Sequence, residues 1–210
     1  MPAKGSVQRK ASPRPFRKDP ATLGIIDSAY RLQKAGSFQQ AELLYRRVLS
    51  AEPGNPFALC ALGTISLHRG DHETAVQQLR QALAQGYDHE TVYTHLGIAL
   101  QALGAEAEAL EVYRRGLQSN PKNPRYPSNI SVILAHQGHL EEALVEVLKA
   151  IALDKKFVPA YVNAGSHLQA LGRLQESVRM FETALAFDPQ NDSVKDALLA
   201  LRQKMALEGS

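Results

Sequence analysis

Residues 90–123 read ETVYTHLGIALQALGAEAEALEVYRRGLQSNPKN, a stretch of 34 residues broken once, at Gly104, and closed by Asn120-Pro121. Leu100 precedes the glycine by four positions and Gly97 by seven, while Ala109, Tyr113, Gly116 and Leu117 follow it at five, nine, twelve and thirteen. Spacings of three, four and seven on either side of a break mark one face of a helix, so the stretch is two amphipathic helices joined at a glycine. Working outward, the glycine recurs as Gly36, Gly70, Gly104, Gly138 and Gly172, always 34 residues apart and without an insertion. A period of this length marks stacked helix-turn-helix units, each too small to bury its own apolar face.

The residues around the five glycines fall into columns. Seven before each stand Ala29, Gly63, Gly97, Ser131 and Gly165, and five after stand Ala41, Ala75, Ala109, Ala143 and Ser177. Twelve after, the series is Val48, Ala82, Gly116, Ala150 and Ala184. Small residues at fixed sites predict close helix contacts, and Tyr45, Leu79, Tyr113, Val147 and Phe181, nine after each glycine, supply the bulk between them. Glycine at the break suits a left-handed C-cap. Acids and amides such as Glu73, Glu141 and Glu142 open the second helices, where they complement the helix dipole. Glu52-Pro53, Asn120-Pro121 and Asp188-Pro189 close their units, because proline cannot easily continue a helix.

On these residues the chain resembles the tetratricopeptide repeat (TPR) family. Tyr93, Leu96, Gly97, Gly104, Ala109, Tyr113 and Pro121 match the family pattern in the third unit, as do Tyr161, Gly165, Leu168, Gly172, Phe181, Ala184 and Pro189 in the fifth. The resemblance implies an all-α, right-handed superhelical solenoid of five TPR repeats, 22–55, 56–89, 90–123, 124–157 and 158–191. Residues 192–210 then form a capping helix and short tail, with Val194, Ala197, Leu198, Leu201 and Met205 on one face. Three departures stand out: Tyr87 and Lys155 replace the closing proline, and Pro127 sits where the fourth repeat should carry its first large residue, which predicts a late or disturbed helix start.

Residues 1–21 read as a disordered basic tail. Lys4, Arg9, Lys10, Arg14, Arg17 and Lys18 outweigh Asp19, so a chain of net charge +3 leaves its repeat body slightly acidic. Such a tail can hold nucleic-acid phosphates, touch an anionic membrane surface or dock an acidic protein, or serve only as a solubilising segment. Its prolines and lack of an apolar stretch argue against a secretory or transit signal. Cys60 is the only cysteine, which excludes an internal disulfide and suits a cytoplasmic location.

Nothing in the sequence points to catalysis, a cofactor or a metal. His68 and His72 straddle Gly70, and His136 and His139 straddle Gly138, so neither pair shares a helix face as zinc ligands would. No glycine-rich phosphate loop or nucleophile elbow is present. What remains is the surface that the resemblance assigns to ligands, the concave side lined by the first helices. Its outward columns are Asp27, Ala61, His95, Asn129 and Asn163; then Tyr30, Thr64, Ile98, Val132 and Ser166; then Lys34, His68, Ala102, His136 and Ala170, with Gln33, Gln101 and Gln169 between. This lining is mostly neutral.

The family's carboxylate clamp for chaperone tails, built from Lys, Asn and Arg, is absent: the matching positions are Ile26 and Tyr30, Cys60 and Thr64, Thr94 and Ile98. Asn129 and Asn163 instead resemble two rungs of the asparagine ladder found in the repeat arrays of O-linked N-acetylglucosamine transferases, where amides grip a peptide backbone; an amide supplies both donors and an acceptor. The expected function is a noncatalytic adaptor that binds an extended peptide or partner helix in this groove. The alternatives are self-assembly as a homo-oligomer through Ile25 and Ile26 of the first repeat, and tail-driven binding of nucleic acid or anionic surfaces.

Overall fold

The computed structural model describes residues 20–208. The expected basic tail, residues 1–21, lies outside the described residues apart from Pro20 and Ala21. Those two begin the first helix, with proline at a position where its missing N–H costs nothing. Among the described residues there are eleven α-helices and no strand. The first helices of the five hairpins are α1 (Pro20–Lys34), α3 (Pro56–His68), α5 (Glu90–Ala102), α7 (Arg125–His136) and α9 (Val158–Ala170). Their partners are α2 (Phe38–Ala51), α4 (His72–Ala84), α6 (Glu106–Ser119), α8 (Leu140–Leu153) and α10 (Leu174–Phe187), and α11 (Asp192–Glu208) follows. The chain divides between Asp88 and His89 into two compact units, one of two hairpins and one of three hairpins with α11.

Each hairpin turns the same way. The glycine after the first helix has φ between 74° and 82°, a region where a β-carbon is penalised. At Gly104, for example, its N–H bonds Gln101 O at 2.9 Å and the next N–H, from Ala105, reaches back to Leu100 O at 2.9 Å. This pair of bonds is a Schellman cap, and it satisfies carbonyls that the helix end would leave open. The second helices end differently. Glu52, Asn120, Asp154 and Asp188 leave the helical region, Asp154 alone reaching extended geometry, and the N–H of each bonds back four residues. At Asp154 the carboxylate also accepts from the Lys156 N–H at 2.9 Å, so a side-chain turn stands in for the missing proline beside Lys155. Helix α4 departs from this: Gly86, at φ 81°, gives it a Schellman end. Tyr87 folds back edge-on to Phe57, with ring centroids 6.3 Å apart.

The small columns are contact points between the two helices of a hairpin. A methyl placed on Gly97 would lie 2.2 Å from the Tyr113 ring, one on Gly63 2.6 Å from Leu79, and one on Gly165 2.7 Å from Phe181. Ala41, Ala75, Ala109, Ala143 and Ser177 are fully buried, and the Ser177 hydroxyl donates to Gly165 O at 2.7 Å. Between repeats three and four, a methyl on Gly116 would lie 2.6 Å from Tyr126. This resolves the irregular fourth repeat. Its helix starts one residue late, Pro127 sits in the first turn without losing a bond, and Tyr126, one position early, fills the buried site expected of residue 127. At the end of the stack, Val194, Leu198 and Leu201 of α11 cover Phe181, Leu174 and Tyr161.

Gly97→Ala is therefore expected to lower stability by roughly 1–2 kcal/mol, because overpacking against Tyr113 outweighs the gain in helix propensity. Urea denaturation of the full chain measures it; an unchanged or raised midpoint would show that the hairpin tolerates a wider spacing.

Candidate functional site

Within the three-hairpin unit, α5 touches α7 and α7 touches α9, so successive first helices form one continuous surface. The predicted lining residues do not all serve it. Ile98 is 38% exposed, and Ser166, Gln169 and His136 are exposed as well, with the Ser166 hydroxyl bonded only to Val162 O of its own helix. The imidazole of His136 lies 3.4 Å from Glu106 of the preceding hairpin. His95 is half-buried.

Four of the predicted amides face inward instead. The Tyr113 hydroxyl donates to Gln101 Oε1 at 2.6 Å and is also hydrogen-bonded by Asn129 from the next hairpin, while burial pushes the phenol's pKa well above its ordinary value. Gln33 accepts in the same way from Tyr45, at 2.9 Å. In the fifth repeat Phe181 stands where Tyr45 and Tyr113 do, has no hydroxyl, and leaves Gln169 at the surface. Asn163 turns its amide nitrogen to Ser128 Oγ at 3.0 Å, across α7 and α9.

Asn163 belongs to a polar seam that the sequence reading missed. The Ser131 hydroxyl donates to Ser128 O at 2.7 Å, so its oxygen accepts from His167 Nε2–H at 3.1 Å. Ser128, Ser131 and His167 are 2%, 0% and 6% exposed. The signal was available: His167 occupies a column held by Ile65, Ala99 and Ile133 in repeats two to four, all buried, although repeat one has the exposed Arg31 there. A histidine among apolar residues requires a buried partner.

In the two-hairpin unit the predicted residues are Asp27, Tyr30, Lys34, Thr64 and His68. Asp27 pairs with Arg31, Lys34 Nζ lies 5.6 Å from the Tyr30 ring centroid, and the His68 ring stacks on Phe38 at 5.3 Å. Thr64 is buried and its hydroxyl donates to Cys60 O at 3.0 Å, which removes it from the lining. Cys60 is buried too, and desolvation pushes its thiol up to about 12, the mark of a packing residue and not of a nucleophile. Ile25 and Ile26 are half-buried and pack on the core that contains Ala29, Tyr45 and Leu62, so the side chains expected to meet a second copy are partly spent on the chain's own core. Among the described residues no three His, Cys, Asp or Glu side chains gather as a metal site, and no helix is long and apolar enough to cross a membrane.

A family model described as tetratricopeptide repeat matches residues 32–94 and 66–128, and a second such model matches residues 158–191. The chain belongs to the tetratricopeptide repeat family. One TPR relative, the small glutamine-rich tetratricopeptide repeat-containing protein 2 of Mycosarcoma maydis, is 30% identical over 102 residues. The match takes in 49% of this chain and 29% of that protein's length, so this chain spans well under half of that relative. A solved thermophilic TPR protein of Thermus thermophilus superposes with a TM-score of 0.72 at 20% identity, over 87% of this chain and 99% of that one. YrrB, described as a TPR protein with an unusual peptide-binding site, gives a TM-score of 0.64 at 20% identity, over 84% and 91%. These likenesses establish the TPR fold.

The seam makes a pH prediction. Burial, together with the neighbouring His136 imidazole, lowers the pKa of His167 from its ordinary 6.5. The fold therefore favours the neutral ring; its contribution is full above that ordinary value and is lost as the pH falls through the lowered one. Between pH 7 and pH 5 the wild type should lose more stability than His167→Gln, which retains a donor for Ser131 without titrating. Denaturation curves at the two pH values decide it, and equal losses would remove His167 as the cause.

Proposed function

We propose that this TPR protein is a noncatalytic adaptor that holds an extended, largely uncharged segment of a partner protein against its first helices. The observation that carries the reading is the surface of α5, α7 and α9, where Ile98, Ser166, Gln169 and His136 are exposed. On these three helices the only Asp, Glu, Lys or Arg residues are Glu90 and Arg125, each at a helix start. Glu90 is occupied by the amides of Asn120 and Asn123, and the Arg125 guanidinium lies 5.7 Å from the centroid of the Phe157 ring. The surface thus offers apolar contact and neutral hydrogen bonds without a strong field, which suits a backbone-reading mode over charge-reading. A clamp for a terminal carboxylate has no cation to work with at the positions of Cys60, Thr64, Thr94 and Ile98. The relatives that the chain matches include an Hsp70-Hsp90 organising protein of Plasmodium falciparum, and a protein-binding role accords with that company. A cytoplasmic setting fits the reading through the single buried thiol.

Asn129 and Asn163 brace neighbouring hairpins, so their removal would mix loss of binding with loss of stability. Ile98 and Ser166 avoid this. With peptides selected from an unbiased display library against the full chain, Ile98→Glu combined with Ser166→Glu should weaken binding at least about tenfold, or roughly 1.4 kcal/mol from an affinity near micromolar. Melting temperature should stay unchanged, and Arg114→Glu on a second helix should have no effect. Undiminished binding by the double variant places the partner elsewhere.

A further inference from the structure

Repeat four differs from its neighbours on the outward face of its second helix. Seven and ten residues after the turn glycine, repeats two, three and five carry Gln77 and Arg80, Glu111 and Arg114, and Arg179 and Glu182, and repeat one carries Leu43 and Arg46. Repeat four carries Val145 and Leu148, which are 55% and 46% exposed. With exposed Ala152 they form a stripe at i, i+3 and i+7 along α8. The opposite side of α8 is already spent, because Leu144, Val147 and Ala150 pack against Ala160, Ala164 and Leu168 of α9. The helix is thus apolar on two faces, a pattern that a lone surface helix does not need.

The charges at the two ends of the stripe say what covers it. Glu141 and Glu142 stand exposed in the first turn, and Lys155 and Lys156 stand exposed just past the last. Lys155 occupies the site where repeats one, three and five have Pro53, Pro121 and Pro189, so a turn-closing residue has been exchanged for a cation. A second α8 laid antiparallel about a two-fold axis between Leu148 and Lys149 sets Val145 against Ala152, Glu142 against Lys155 and Glu141 against Lys156. Large meets small and acid meets base at both ends, whereas a parallel alignment would bring like charges together. Such self-complementarity is the requirement of an isologous interface. Lys149 is held to the flank by Glu146 at 2.7 Å, and Glu141 has only a long contact of 3.9 Å to Arg173, so neither blocks the stripe.

We propose that α8 pairs antiparallel with α8 of a second copy of this chain. One helix face per copy lies at the small end of specific interfaces, so the dimer is weak and forms with rising concentration. The pairing leaves the first-helix surface open and does not depend on what binds there.

Sedimentation of the full chain over a wide concentration range tests the pairing. The wild type should move from monomer to dimer. Lys155→Glu with Lys156→Glu, and separately Glu141→Lys with Glu142→Lys, should each raise the dimer dissociation constant at least tenfold at unchanged helicity. Mixed in equal amounts, the two variants should associate again, since one copy then carries acids and the other bases at both ends. Leu148→Cys, next to the axis, should crosslink to itself on mild oxidation, while buried Cys60 does not. A wild type that stays monomeric throughout, a mixture no more associated than its components, or a Leu148→Cys chain that fails to crosslink would each overturn the proposal.

Discussion

A residue with almost no side chain on a first helix, facing a ring or a branched chain on the second, fixes the distance between the helices of a hairpin. Gly97 beneath Tyr113 shows the constraint at its tightest, with Gly63 beneath Leu79 and Gly165 beneath Phe181 close behind, where even one added methyl has no room. Close-packed interiors do not yield gradually to such a change. Once the spacing is set, the buried alanines of the second helices can approach the first, and the outward columns of the first helices come into line. The left-handed glycine that follows is the complement of this contact: it turns the chain within two residues, so the paired positions meet in register.

Polar groups are laid over this frame where it would otherwise be indifferent. Tyr113 reaches an amide in its own hairpin and another in the next, and Ser131 and His167 join α7 to α9. Apolar packing favours contact in general; a buried hydroxyl that must meet one particular acceptor favours one alignment. Repeats three to five are therefore tied by hydrogen bonds as well as by shape, and the surface that a partner would touch is the outer edge of the same network.

The architecture was legible because its determinants are local and repeated. Helix ends, turn glycines and small columns are each visible within one period, and five copies make the reading self-checking. Even the misplaced Pro127 announced its irregularity, although the remedy, a tyrosine moved by one position, required knowing where Gly116 lies. The site was legible only as a set of columns. Whether a polar side chain in a column serves a partner or its neighbour depends on a residue 12 or 16 positions away, as for Gln101 and Asn129 with Tyr113, or 35 and 36 away, as for Asn163 with Ser128 and His167 with Ser131. Periodicity places both members of such a pair and says nothing of whether they bond. Ile25 and Ile26 show the same limit from the apolar side: position in the chain suggested an open end, and the core beneath Tyr45 drew them in.

The exchange of Tyr113 for Phe181 across repeats has a consequence for how the surface can change. One phenolic oxygen decides whether the glutamine above it is committed to the interior or available outside. The ligand-facing chemistry of a hairpin is thereby edited from beneath, by a residue no partner ever meets. Repeats identical along the exposed face can then differ in what they offer, and a change in specificity need leave no trace among the residues on that face.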